Sequence, residues 1–156
     1  MSSAPGGETG RGRTCGECRA CCVVLGFEAR PDEALFAKPA GEPCPHLCAA
    51  GCGIYASRPP VCRRFRCAWL QESTLPRSMR PDRCGVMFAM NDNILGSGYA
   101  VFAYELRSGA ADRLRVAQVI RRVAAQAPVI LIRADGRREV FTADPAVADR
   151  LQLDQR

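Results

Sequence analysis

No apolar run in this chain approaches the ~20 residues that a membrane-spanning helix requires. The first thirteen residues lack the apolar stretch of a secretory leader, so no export signal is expected and a cytoplasmic location is the default. Aromatic residues are scarce, at 6%, and the arginines are scattered. A platform for stacking nucleic-acid bases is therefore not indicated. Lysine occurs once, at Lys38, and histidine once, at His46. There is no G-x-G-x-x-G, no P-loop and no paired-carboxylate pattern, which removes the common nucleotide-binding and glycosidase readings. The C-x-x-x-C-x-x-C spacing of radical enzymes is also missing. Cys18 and Cys22 give its first interval, but position 25 is leucine; Cys48 and Cys52 repeat that interval, but position 55 is tyrosine. A thioredoxin-like reading of Cys15 and Cys18 fails because no βα unit precedes them. No reaction follows from these residues. An enzyme, if this chain is one, would be of the iron–sulfur oxidoreductase type.

Apolar residues make up 47% of the 156 positions and charged residues 24%, as in ordinary globular domains. The length fits one domain, or one domain with a small appended module. Cysteine is the outlier, at 10 residues. In a reducing compartment clustered thiols point to metal binding or redox chemistry ahead of disulfides. The formal charge of +6 counts every thiol as neutral. A dication held by four thiolates carries a net charge of −2, so two such sites would lower the total to roughly +2. The basic balance then reads as internal neutralisation, and nucleic acid is not an expected partner.

The composition divides the chain into three stretches. Residues 1–13 read as a disordered polar tail. Residues 14–84 hold all ten cysteines, and residues 85–156 hold none. The last stretch reads as an α+β scaffold that forms its own domain or one compact unit with the cysteine module. Val86–Met90 and Ile94–Glu105 suggest two strands joined through Asn91-Asp92-Asn93. Ser108 is placed to cap a helix reaching about Ala127, with Val116, Val119, Ile120 and Val123 on its apolar face and Pro128 ending it. Val129–Arg133 and Glu139–Thr142 flank a second hairpin at Asp135-Gly136. Asp144-Pro145 opens a short terminal helix. The expected fold is therefore a Cys-rich helical and loop module, followed by a small antiparallel sheet of two hairpins with one long and one short helix.

The cysteines begin with Cys15-Gly-Glu-Cys18-Arg-Ala-Cys21-Cys22. On a continuous helix these four thiols would fall within an arc of roughly 120°, making a rack on one face. The alternative is four small core residues. Pro43-Cys44-Pro45-His46-Leu47-Cys48 follows, then Gly51-Cys52-Gly53-Ile54-Tyr55. The glycines suit a backbone folding around an ion. Last comes Arg58-Pro59-Pro60-Val61-Cys62-Arg63-Arg64-Phe65-Arg66-Cys67. Cys62 and Cys67 share a face only if a helix ends between them.

This order of residues resembles the CxxCxxCC cysteine-cluster family, described as zinc- or iron-chelating domains. The resemblance runs over Cys15, Cys18, Cys21 and Cys22, then Cys44 with Leu47. It continues over Cys52 with Ile54, Tyr55, Arg58 and Pro59, and ends on Cys62, Arg63, Phe65 and Cys67. It covers about a third of the chain. It implies metal chelation by those eight cysteines, without a defined reaction or protein partner, and it does not fix Cys48, Cys84 or His46. The residues themselves leave the metal open. Zinc takes four thiolates tetrahedrally, commonly from two separated hooks. The run C-x-x-C-x-x-C with a remote fourth ligand is typical of an iron–sulfur cubane. Arg58 and Arg63 are candidates to donate N–H groups to ligating sulfur. Tyr55 and Phe65 are expected to pack against the site, and Trp69 in a core. Three roles remain: an iron–sulfur protein, a zinc-stabilised structural module, or a metal chaperone.

Overall fold

The computed structural model describes residues 13–29, 36–92 and 98–153. Its largest element is a sheet of four strands: β3 (Val86–Asp92), β4 (Tyr99–Glu105), β5 (Val129–Ile132) and β6 (Arg138–Phe141). The spatial order is β3-β4-β5-β6. Both expected hairpins form. β3 and β4 are antiparallel, with Val86 opposite Glu105 and Asp92 opposite Tyr99. β5 and β6 are antiparallel around Gly136, whose φ of 87° is the left-handed value that such a turn requires. Asn91 and Asp92, expected in the turn, are instead the last residues of β3, paired with Ala100 and Tyr99, because the ladder runs on past Met90; Asn93 and residues 94–97 lie outside the described residues, so β4 is described from Tyr99.

The sheet is mixed, not wholly antiparallel as expected. β4 and β5 run parallel, pairing Val101 with Val129 and Tyr104 with Ile132. The cause lies between them. Helix α5 (Leu114–Ala124) returns the chain to the end where β4 began, and a crossover of this kind delivers the next strand in the same direction. Its apolar face is the expected one, with Val116 and Ile120 buried. Its N-cap is Arg113, not Ser108, and no side chain caps it; the intervening residues are spent on turns. The terminal helix α6 (Pro145–Leu153) starts as expected, Asp144 accepting a hydrogen bond from the Ala146 N–H at 2.9 Å.

Strand alternation gives the sheet two faces. Val86, Phe88, Val101, Ala103, Val129 and Leu131 face α5 and pack on Val116 and Ile120. The opposite face is shared. At one end Leu151 and Val147 of α6 cover Ala100 and Ile130. At the other, Met87 and Tyr104 meet Ala20, Cys67 and Trp69 of the cysteine module. The two halves of the chain thus share cores, and Met79 and Cys84 of the module also enter the α5 side. Buried Glu105, at the end of β4, accepts N–H groups of Ala111 (3.1 Å) and Ala134 (3.0 Å) and pairs with Arg133 at 3.4 Å.

The module is built from short pieces: α1 (Ala20–Val24), the hairpin β1 (Leu47–Cys48) with β2 (Gly51–Cys52), α2 (Pro60–Arg64), α3 (Ala68–Gln71) and α4 (Pro81–Cys84). Most of the expected tail lies outside the described residues. Its last residue, Arg13, is anchored: the guanidinium lies 4.0 Å from the Trp69 ring centre and donates to the carbonyls of Trp69, Glu72, Ser73 and Leu75. Among the described residues no helix is long and apolar enough to cross a membrane.

Candidate metal centre

The continuous helical rack over Cys15–Cys22 does not form. Gly16 adopts a φ of 54°, and Cys18 closes a turn onto the Cys15 carbonyl at 2.9 Å. Helix α1 therefore begins only at Ala20 and carries Cys21 and Cys22 alone. Left-handed backbone at Gly16 is incompatible with a right-handed helix through it. Cys44 is fixed beside this helix by its N–H, which donates to the Cys22 carbonyl at 2.8 Å. Cys52 stands on β2 opposite Leu47, and Leu47 N–H bonds the Cys44 carbonyl at 2.9 Å. Pro60 at the first turn starts α2, which carries Cys62 and stops at Phe65. Cys67 then caps α3. The helix therefore ends between Cys62 and Cys67.

Every cysteine of the expected ligand set except Cys67 lines one cavity of about 520 Å³. Cys67 is buried in the cluster that also takes in Cys18 and Cys21. Among the described residues the charged ones lining the cavity are Arg19, Lys38 and Arg58, with no carboxylate. Part of the wall is the sheet, through Ala89, Phe102 and Tyr104. Among the described residues no three His, Cys, Asp or Glu side chains close on a common point in the manner of a formed metal site. The sulfurs surround the space at longer range. The donor chemistry fits a thiophilic metal, and the cations Arg19, Lys38 and Arg58 in the lining fit the net negative charge of a metal–thiolate group.

The thiols already influence one another. Burial pushes the Cys15 thiol up, helped by the neighbouring Cys67 and Cys18 and opposed by Arg58. Burial likewise raises Cys62, with Cys22, Cys44 and Cys52 adding to it. Cys67 is raised by burial against N–H donation from Leu70 and Trp69. A hydrogen bond joins the neighbouring thiols, Cys21 donating and Cys22 accepting. That bond raises Cys21 and lowers Cys22 to about 6, the latter against burial and with help from Lys38 and Arg58.

Arg58 lines the cavity, but its Nε hydrogen bond goes to backbone and not to sulfur. Its guanidinium lies 3.7 Å from the Tyr55 ring centre, and its Nε donates to the Tyr55 carbonyl at 3.0 Å. Arg63 is different: its Nε donates to the Arg58 carbonyl at 2.7 Å, and it does not line the cavity. Tyr55 and Phe65 both reach the cavity wall, although Tyr55 stays 60% exposed. Cys48 is exposed on β1, and Cys84 is buried with its thiol against the Met79 and Val86 carbonyls. His46 sits edge-on to Phe36, 4.8 Å between ring centres, outside the cavity lining.

Lys38 was not singled out from the sequence. It is 4% exposed, and its ammonium donates to the carbonyls of Val23 (3.2 Å), Leu25 and Pro39 (3.2 Å). Two of those carbonyls close the C-terminal end of α1, so this one side chain orients the helix that carries Cys21 and Cys22. Its being the sole lysine in an arginine-rich chain was the available signal. The chain matches no family model, no curated protein and no solved structure.

Proposed function

We propose that the protein binds a metal through its clustered cysteine thiolates, with iron in an iron–sulfur cluster as the leading reading, and that it belongs with the CxxCxxCC proteins it resembles. One observation carries this: seven cysteines from separated stretches of sequence line the same cavity, together with the cations Arg19, Lys38 and Arg58. Thiolates arranged so would otherwise repel, and a bound cation removes that repulsion. The C-x-x-C-x-x-C run and a cavity larger than one ion needs favour a cluster. Zinc is the second reading, favoured by the shortness of the module's elements: α1 and α2 have five residues each and no side-chain caps. Such pieces gain most from a structural metal that supplies folding free energy. The test is iron, zinc and acid-labile sulfide per chain in protein purified without oxygen. Iron with matching sulfide is the expected result. Zinc without iron would move the function to a structural or chaperone role, and absence of any stoichiometric metal would refute metal binding.

A further inference from the structure

Nearly every buried polar hydrogen in a folded protein has an acceptor, and one that has none calls for an explanation. Among the described residues three buried side-chain N–H groups are of this kind: Arg19 Nε, Arg66 Nε and Trp69 Nε1. All three belong to residues close in sequence to cysteines of the expected ligand set. Arg19 follows Cys18, Arg66 precedes Cys67, and Trp69 is two residues beyond Cys67. Trp69 is the most deeply buried of the three residues, 8% exposed, so bulk solvent does not serve its indole. We infer that the Trp69 indole N–H is the hydrogen-bond donor to a metal-bound thiolate of Cys18, Cys21 or Cys67. This rests on the metal-binding reading above and goes beyond it by naming a residue that positions the ligating sulfur.

The packing brings the ring and those sulfurs together. Trp69 shares one apolar cluster with Ala20, Cys67 and Met87, and Cys18 and Cys21 pack against it. Cys18 and Cys21 also line the cavity, whereas Trp69 and Cys67 do not. The indole thus stands behind the sulfur wall, on the protein side of it. Arg13 holds it there. The guanidinium lies 4.0 Å from the ring centre and donates to the Trp69 carbonyl at 3.2 Å, and a cation packed on the ring in this way fixes its orientation.

The chemistry selects a thiolate. The side-chain acceptors in this cluster are the sulfurs of Cys18, Cys21, Cys67 and Met87 and the Tyr104 hydroxyl. A neutral thiol or thioether accepts weakly. A hydrogen bond to an ionised acceptor is about twice as strong as a neutral one. Of these groups only the cysteines gain negative charge when metal binds, since a ligating thiol gives up its proton. Donation from the indole then draws charge from the ligating sulfur and fixes its direction.

The chain has one tryptophan, so the indole N–H gives one resonance, and replacing tryptophan throughout alters one position. The full chain, reduced and stripped of metal, is loaded with NMR-active cadmium alone. The indole proton should move to lower field and show a cadmium coupling carried through the hydrogen bond. Cadmium bound with that resonance unmoved and uncoupled would overturn the inference while leaving metal binding intact. Failure to bind cadmium would remove the inference and, if no native metal is found either, the metal-binding reading with it. Replacing Trp69 by benzothienylalanine keeps the shape of the ring and puts sulfur in place of the N–H. Cadmium affinity, read by chelator competition, should then fall about tenfold. The metal-free chain should keep or raise its urea midpoint, because it no longer buries an unpaired donor. An unchanged affinity, or an equal loss of stability in the loaded and metal-free forms, would refute the donor role.

Discussion

Replacing Arg133 by methionine withdraws the cation that faces the buried Glu105 carboxylate. The Glu105 side chain is 3% exposed and the Arg133 side chain 14%, so water cannot take over the pairing. Removing one partner of a buried pair costs about 3–5 kcal/mol. Here the cost is reduced, because Glu105 keeps the Ala111 and Ala134 N–H groups and the pair is separated by 3.4 Å. The bond from Arg133 to Asp112 adds little, since that carboxylate is 64% exposed, and the two bonds to Glu139 are replaced in part by water at a carboxylate 34% exposed. The net expectation is a loss of about 2.5 kcal/mol, or roughly 5–10 °C in melting temperature for a chain of this size. Thermal and urea denaturation of the metal-loaded chain, followed by circular dichroism, measure it. Glu105→Gln removes the charge that needed a partner, so the double variant should lose about 1–2 kcal/mol less than the sum of the single losses. A loss under about 0.5 kcal/mol for Arg133→Met, or strict additivity in the cycle, would refute this account of the network.

Gly85→Ala should destabilise by about 2–3 kcal/mol, seen as a lower urea midpoint with an unchanged slope. Gly85 has a φ of 82°, and an added Cβ would stand 2.7 Å from the Ala110 Cβ and 3.0 Å from Arg107 Nη2. Lys38→Met leaves three backbone carbonyls without their donor. A loss of about 2 kcal/mol is expected in the metal-free chain, with weaker metal retention on top of it when loaded protein is challenged with a chelator.

Where local chemistry decides, the sequence was informative. Asp135-Gly136 made its hairpin, Asp144-Pro145 its helix start, and Arg58-Pro59-Pro60 the start of α2. The parallel pairing of β4 with β5 was not readable in this way, because it depends on which strand the chain returns to after α5. The Cys15–Cys22 stretch failed for a related reason. Cysteine periodicity suggested a helix, but one glycine in the left-handed region overrides it. The resemblance implied that the motif's eight cysteines gather, and seven of them line one cavity. The cations were legible only in part: Arg58 lies inside the motif, whereas Lys38 reaches the site from a neighbouring loop. Arg63, equally placed in the motif, turned instead to the Arg58 backbone.

The protein has a single tryptophan, and Trp69 is buried beside Cys67, with Cys18 and Cys21 packed on the same cluster. Its indole therefore stands where the cysteine half and the sheet half touch. Any rearrangement of those thiols changes the surroundings of the one dominant fluorophore. The molecule in effect contains its own optical gauge, and unlabelled protein can be followed by emission alone whenever the chemistry of the sulfurs beside that ring is changed.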